Sequence, residues 1–380
     1  MPKYFANILF LIFFFFGCDT TEILSPGDEL TGLPVIDLII EHDNLLQLQN
    51  NRSVNLEVPG TIKYKGESFV CTVRASGAGS RYYFKWSYRI ELEDGKSIEG
   101  LTDFNLSAQV EDPSMLRTVV TSYLFERAGF KGFDSFHVFL QLNNDDKGLY
   151  SLIEIIKGPY FERRELDVYE LYKLGFGSAF SFNSANYPEM TFSKQIPDDE
   201  QYYNLIQLIN AIDTSSSATL RLSLGKYIDL DNYIKYHSLS SIIAHVDGFR
   251  NNFYLYKSKP TSAFEIIPWD FDKTFWNEVD AAIVGYNDLI KKIFTNDELF
   301  LQYKSTVIFQ LNELLDEDVL FSIIDSTALH IKDGYDLDSY LGNGRYNFNE
   351  EISRLKLIIK LRKEYLLENL DTINQSYIFE

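Results

Sequence analysis

The chain has 380 residues, 45% hydrophobic and 15% aromatic, which excludes a disordered protein and supplies enough apolar material for a large core. Its 55 acidic against 35 basic residues give a formal charge of -20, spread without long single-sign blocks. That balance excludes nucleic acid or an anionic membrane surface as the main partner, since both require a basic face.

The N-terminus predicts export. Lys3 is followed by the apolar run Ile8 to Phe16, too short to span a bilayer and the size of a signal-peptide core, and then by Gly17-Cys18. A small residue before cysteine resembles a bacterial lipobox, although Phe15 and Phe16 depart from its usual upstream residues. Residues 1–17 are expected to be removed and Cys18 acylated, with residues 18–32 as a polar tether containing Pro26 and Gly27. The expected location is extracytoplasmic, anchored to the membrane by lipid without spanning it. Cys71 lies in a strand-like run, has no basic cluster beside it, and reads as a buried small hydrophobe.

From Leu33 onward short strand-like runs alternate with turns: Pro34 to Ile40, Gly60 to Lys65, and Tyr83 to Leu92 closed by Asp94-Gly95. Asp112-Pro113-Ser114 then predicts a helix start. Leu116, Val119, Val120, Tyr123 and Leu124 follow helical spacing as far as Ala128-Gly129. A hairpin follows, with strands at 135–142 and 149–154 around a turn at 143–148. An amphipathic helix is predicted near 198–213. Asp229 or Asp231 caps the next one, which turns Leu230, Ile234, Leu239, Ile242, Ile243 and Val246 inward and delivers the chain to Asp247. Beyond about Asn287 the pattern is almost wholly helical. The expected class is α+β with two lobes, a β-rich N-terminal lobe at 33–157 and a mostly helical C-terminal lobe at 158–380.

The chemistry concentrates in HVDGFRNNFYLY and PWDFD. Strands at 252–257 and 263–268, with the turn centred near Pro260, place Asn252 opposite Pro268 and gather Asp247, Asn252, Asp270 and Asp272 at the open end. Hard oxygen ligands gathered this way suit Mg²⁺ and a polyphosphate. Asp247 precedes Asn252 by the spacing that protein kinases use between catalytic Asp and metal-binding Asn. Asp270 and Asp272 are expected to point the same way along an extended segment, where they repel unless a cation lies between them. Taken singly, Asp247 reads equally as a turn residue and Asp270 as a helix cap. Convergence from two sides favours function for the set. His237 and His245 lack metal-ligand spacing and read as helix packing. Pro268 and Trp269 are expected to fix the strand exit without touching substrate.

These residues carry a resemblance to the CotH (spore coat protein H) kinase family, an atypical branch with a protein-kinase-like fold. The matching runs are VRASGAGSRYYFKWSYRIEL, DPSMLRTVVTSYLFERAG, VFLQLNNDDKGLYSLIE, LYK, HVDGFRNNFYLYK and IIPWDFD, with a helical tail around Arg362. The resemblance implies that Asp247 is the catalytic-loop Asp, Asn252 the metal-binding Asn, and Asp270 the second metal ligand. It also implies that Lys85 lies near the donor phosphates and that Arg74 is a basic position of the same lobe. On residue chemistry alone a strand lysine such as Lys85 is as readily solvated. Glu126 is a candidate partner for Lys85, though its helix face is undecided. Glu154 and Lys173 either contact nucleotide or are satisfied surface and turn residues. Gly77 and Gly79 form only a short substitute for a kinase phosphate loop.

The implied activity is a lipid-anchored phosphotransferase that moves phosphate from Mg²⁺- or Mn²⁺-ATP to a Ser/Thr protein acceptor. ATP is scarce outside the cytoplasm, so the alternative is a non-catalytic surface binding or adhesion protein on the same fold. A hydrolase using the same carboxylates lacks the histidine cluster it would need.

Overall fold

A computed structural model describes residues 30–77, 79–175, 180, 186–276, 279–342 and 344–375. The expected leader at 1–17, Cys18 and the tether as far as 29 lie outside the described residues. No helix among the described residues is long and apolar enough to cross a membrane.

The N-terminal strands close into a barrel: β1 (Val35–Ile39), β2 (Val58–Tyr64), β3 (Glu67–Ser76), β4 (Ser87–Leu92), β5 (Asp103–Ser107), β6 (Ser135–Leu142) and β7 (Asp145–Glu154), in the spatial order β1-β2-β3-β4-β5-β7-β6. The parallel β1–β6 pair, with Val35 beside Phe139, completes the ring and leaves no open edge. The β6–β7 turn is tighter than the pattern suggested. Asn143 and Asn144 both adopt positive φ, which asparagine tolerates better than most residues, so two residues suffice where six were expected. Cys71 is fully buried inside the barrel, where desolvation pushes its thiol up to about 12.

Within 33–157, α1 (Arg117–Arg127) belongs to a different core. The helix begins at Arg117, later than the expected start at 112–114, with Leu116 at its N-cap and no side-chain cap; ahead of it Asp112 accepts from Ser114 N and Arg117 N. Its inward residues Val120, Leu124 and Phe125 join the core built by the C-terminal helices, whereas the barrel fills a core of its own. Glu126 does not face Lys85; it packs beside Gly132.

The C-terminal part holds a four-stranded sheet, in the order β11-β10-β8-β9, made of β8 (Glu170–Leu174), β9 (Phe192–Ile196), β10 (Phe253–Lys257) and β11 (Glu265–Pro268). Around it run α2 (Tyr203–Thr214), α3 (Leu230–Ile242), α4 (Asp288–Phe294), α5 (Asp297–Glu313), α6 (Glu317–Leu337) and α7 (Phe348–Asn369). Asp229 caps α3 through Asp231 N and Asn232 N. The helix stops at Ile242, so Val246, expected inward, is exposed. The strand-rich barrel and the helical remainder make this an α+β protein of two lobes, as the sequence pattern suggested.

Lys85 ties the two lobes together. The expected strand from Tyr83 starts only at Ser87, and Lys85 lies in the bend before it. Its buried ammonium donates to Asp338 Oδ2 at 2.5 Å and to Leu149 O at 2.6 Å, over the face of Tyr150. Asp338, at the end of α6, also accepts from Leu149 N (2.8 Å), Tyr340 N (2.7 Å) and Leu341 N (2.9 Å). Gly148 permits this approach: its φ is +91°, and a Cβ there would run into the Asp338 carboxylate. Removing one partner of a buried, hydrogen-bonded ion pair costs about 3–5 kcal/mol. Asp338→Ala is therefore expected to destabilise the fold by about that amount, and more than Lys85→Ala, because it orphans three backbone donors as well. Urea denaturation midpoints of the two variants check the order.

Candidate active site

The β10–β11 hairpin builds the site with a register one residue from the expected one. Phe253, not Asn252, stands opposite Pro268, and Asn252 O accepts from Trp269 N at 3.1 Å. Asn252 and Asp270 therefore flank the ladder just beyond its last pair. Both take left-handed backbone conformations, φ +60° and +65°. Such conformations cost roughly 1–3 kcal/mol each at a non-glycine residue and persist where surrounding structure over-determines them. Asp270 also ends the extended segment, and Asp272 opens a turn, so the expected strand-like alternation of the two carboxylates does not apply. Both nevertheless line one cavity.

That cavity, of about 480 Å³, lies between the barrel and the hairpin mouth. Asp247, Asn252, Asp270, Asp272, Lys173 and Lys273 line its lower wall. Ser76, Gly77, Gly79, Ser87, Asn105 and Ser107 line the barrel side. Tyr83 also lines the cavity, and its hydroxyl donates to Glu111 Oε1 at 2.6 Å. Trp269, expected only to fix the strand exit, is part of the wall.

Asp247 sits in a single helical turn, Val246–Phe249, and its carbonyl accepts from Arg250 N and Asn251 N. Three contacts fix the turn. Tyr236 Oη donates to Gly248 O at 2.7 Å, Asn287 Nδ2 donates to Phe249 O at 2.6 Å, and the His245 ring packs where a Gly248 Cβ would stand. His245 thus lies beyond α3 and braces the turn that carries Asp247, which corrects its reading as helix packing. Its ring meets Phe271 edge-on at 5.9 Å, and burial pushes its pKa down to about 4, so the imidazole is neutral. Phe271 in turn stacks on Phe125 of α1 and on Phe133. His237 does pack within the helices, its ring nitrogens facing Tyr303 Oη and Gly285 O.

Arg362 supports the same region from behind. Fully buried on α7, its guanidinium donates to Ser241 O (2.6 Å) and Ile242 O (3.3 Å) at the end of α3, and to Val279 O (2.8 Å) and Ala281 O (2.7 Å). A cation at a helix C-terminus satisfies orphan carbonyls and suits the helix dipole.

Among the described residues two lysines line the cavity, Lys173 and Lys273, and Lys173 is the more deeply buried. It lies on β8 beside Tyr254, with its ammonium 5.2 Å from the Trp269 ring centre and 5.7 Å from that of Tyr254. Burial lowers its pKa to about 8; Asp270 opposes that shift, while Arg89, Arg74 and Lys157 add to it. The Asp270 carboxyl is raised, first by desolvation and then by Asp247, against Lys173 and Lys273. Asp270 keeps an exposed edge on the cavity, so water screens part of this effect. Asp272 is raised well above the ordinary range by burial and by Asp270. Lys273 stands 4.0 Å from Asp247.

Three expected nucleotide contacts fall outside the cavity wall. Lys85 is consumed by Asp338, so it is a lobe tie and not a phosphate ligand. Glu154 spends both carboxylate oxygens on Arg163, Arg164 and Asp134 N, facing away from the wall residue Ile153. Arg74 lies on β3 beside Arg89, near Asn55 Oδ1 (3.4 Å) and Glu57 (3.7 Å), and acts on Lys173 only through its charge.

Among the described residues no three carboxylate, imidazole or thiol side chains form a preassembled metal cage. The donor set here is different: one carboxamide, Asn252, facing carboxylates across a polar cavity. That set suits a hard, oxygen-preferring ion such as Mg²⁺, which keeps several waters and takes other ligands from a substrate's phosphates.

A family model described as CotH kinase protein matches residues 62–366. The chain is 25% identical over 358 residues to inner spore coat protein H of Bacillus subtilis (strain 168), covering 90% of this chain and 99% of that protein. Two solved structures align at 10% identity. They are the Helicobacter pylori proinflammatory kinase CtkA (83% of this chain, 90% of that one, TM-score 0.35) and the Golgi casein kinase (86% and 75%, TM-score 0.33). At those scores the structural likenesses carry no argument. The sequence match spans both lobes and every residue of the site, and the chain belongs to the CotH kinase family.

Proposed function

We propose that the protein is a phosphotransferase that moves phosphate from Mg²⁺- or Mn²⁺-ATP to a hydroxyl of a protein acceptor, anchored outside the cytoplasm through Cys18. The observation that carries the activity is the one cavity lined by Asp247, Asn252, Asp270 and Lys173. Asn252 and Asp270 would hold the ion, with Asp272 beside them. A bound divalent ion supplies charge neutralisation for the donor's phosphates. Lys173 binds the phosphates with its ammonium, in the role expected of Lys85. Asp247, held on its braced turn, accepts the acceptor hydroxyl's proton at a carboxylate oxygen, while Lys273 orients that carboxylate. Phosphoryl transfer needs positioning and charge more than covalent participation, and each of these groups supplies one or the other.

A thermal-shift titration with ATP separates this reading from a non-catalytic binding protein. Melting is expected to rise with ATP only when Mg²⁺ or Mn²⁺ is present, and the rise is expected to vanish in Asp270→Ala. No shift under any divalent ion would overturn the nucleotide reading. Asp247→Ala should keep the shift and lose phosphate transfer by about 10²–10⁴-fold, the usual worth of a general base, measured by radiolabel incorporation from ATP.

The Lys173 assignment has a pH signature. An ammonium with its pKa lowered to about 8 is charged below that pH and neutral above it. Anionic ligands bind the charged form, so nucleotide affinity is expected to fall as pH rises through about 8. In Lys173→Met, affinity should be weaker and that alkaline fall should flatten, as read by calorimetric titration across the range.

A further inference from the structure

A second groove, of about 610 Å³, adjoins the active-site cavity and shares Tyr83 with it. The segment before β4 presents aromatic residues here: Phe84 is 96% exposed and Tyr82 65%. Large apolar side chains shown to solvent side by side, at the rim of a polar groove, mark an interaction surface. Across from them the Arg52 guanidinium lies over Trp86 at 4.4 Å and the Arg345 guanidinium over Tyr340 at 4.1 Å.

The groove's charge runs against that of the protein. Lys85 is paired with Asp338 and Lys147 with Asp145 (3.9 Å), which leaves Arg52 and Arg345 against the single lining carboxylate of Asp146, on a chain of net charge -20. Among the described residues neither Arg52 nor Arg345 forms an ion pair with a carboxylate. Arg52 donates through Nε to Gln49 O and Arg345 is held by Tyr346 and Tyr340, and guanidinium groups fixed in this way against aromatic faces offer their remaining donors to carboxylates.

We propose that this groove docks an acidic, aromatic-bearing segment of the protein acceptor, its carboxylates on Arg52 and Arg345 and its apolar side chains against Tyr82 and Phe84. The proposal rests on the phosphotransferase reading for the identity of the partner, and the shared Tyr83 gives the route by which a docked chain reaches Asp247. Charge complementarity of this kind sets partner choice and encounter rate.

Fluorescence anisotropy with a labelled glutamate–tyrosine copolymer, without nucleotide, tests the groove apart from the catalytic site. Binding is expected to weaken with added salt, and to weaken at least about tenfold in the double variant R52E/R345E. It should survive in R52K/R345K and weaken in Phe84→Ala, a change at an almost fully exposed position that leaves the core intact. Equal binding by wild type and R52E/R345E, or preference for a lysine–tyrosine copolymer, would overturn the proposal. The Mg²⁺-ATP thermal shift, run on the same samples, is expected to be unchanged. Its absence in wild type would count against the nucleotide reading and leave the docking result standing.

Discussion

The site depends on where one hairpin ladder stops. Pairing of Phe253 with Pro268 makes Asn252 and Trp269 the first residues beyond the ladder, with Asp270 one residue further, and the Trp269 N to Asn252 O bond closes the mouth at 3.1 Å. The left-handed backbones of Asn252 and Asp270 are unfavourable locally, and they are held by what surrounds them. Trp269 packs on Phe133 and Tyr254, and Phe271 on Phe125 and His245, so the chain on either side of Asp270 is fixed by aromatic contacts. A shift of one residue in that ladder would send every hairpin side chain to the opposite face and separate the two ligands.

The same aromatic contacts join the lobes. Helix α1 lies within the barrel's stretch of sequence, yet Phe125 reaches the core beneath Asp270, and Thr121 Oγ1 and Thr274 Oγ1 share a hydrogen bond at 2.6 Å. On the far side of the barrel the Lys85–Asp338 pair fastens the loop preceding β4 to the end of α6. The cavity is thus framed by two inter-lobe attachments, one aromatic and one ionic. The lysine preceding β4, Lys85, pairs with Asp338, and Lys173, from the sheet below, lines the cavity together with the acidic residues.

Much of this was legible in the sequence, for reasons that differ by residue. The order of strands and helices and the cap at Asp229 are local properties, written in periodicity and turn chemistry. Asp247, Asn252 and Asp270 were legible because a hairpin is a short-range device: a turn of known position brings its two ends together. Lys85 was misjudged because its partner, Asp338, lies 253 residues away, and no local pattern reports an ion pair over that distance. Glu154 failed likewise, since Arg163 and Arg164 claim it only once the chain turns back. His245 sat in an apolar run and looked like packing. The signal available was its position two residues before Asp247 with Gly248 just after, a spacing that lets a ring fill the space left by a missing Cβ.

On the phosphotransferase reading, charge gives the reason why a metal and a phosphate donor would enter this cavity together. Asp247, Asp270, Asp272 and Glu111 all line it, against Lys173 and Lys273. A polyphosphate entering alone would meet more negative than positive groups, and a divalent cation entering alone would find few ligands besides the carboxylates. On the same reading each partner would remove the obstacle to the other: the cation would neutralise the carboxylates that repel phosphate, and phosphate oxygens would add to the donors that Asn252 and Asp270 offer. Binding linkage is reciprocal, so each must tighten the other by the same factor. On that reading the cavity would be weak for either component and strong for the complex, which would make it selective for a metal-bound phosphate donor over the free anions and cations around it.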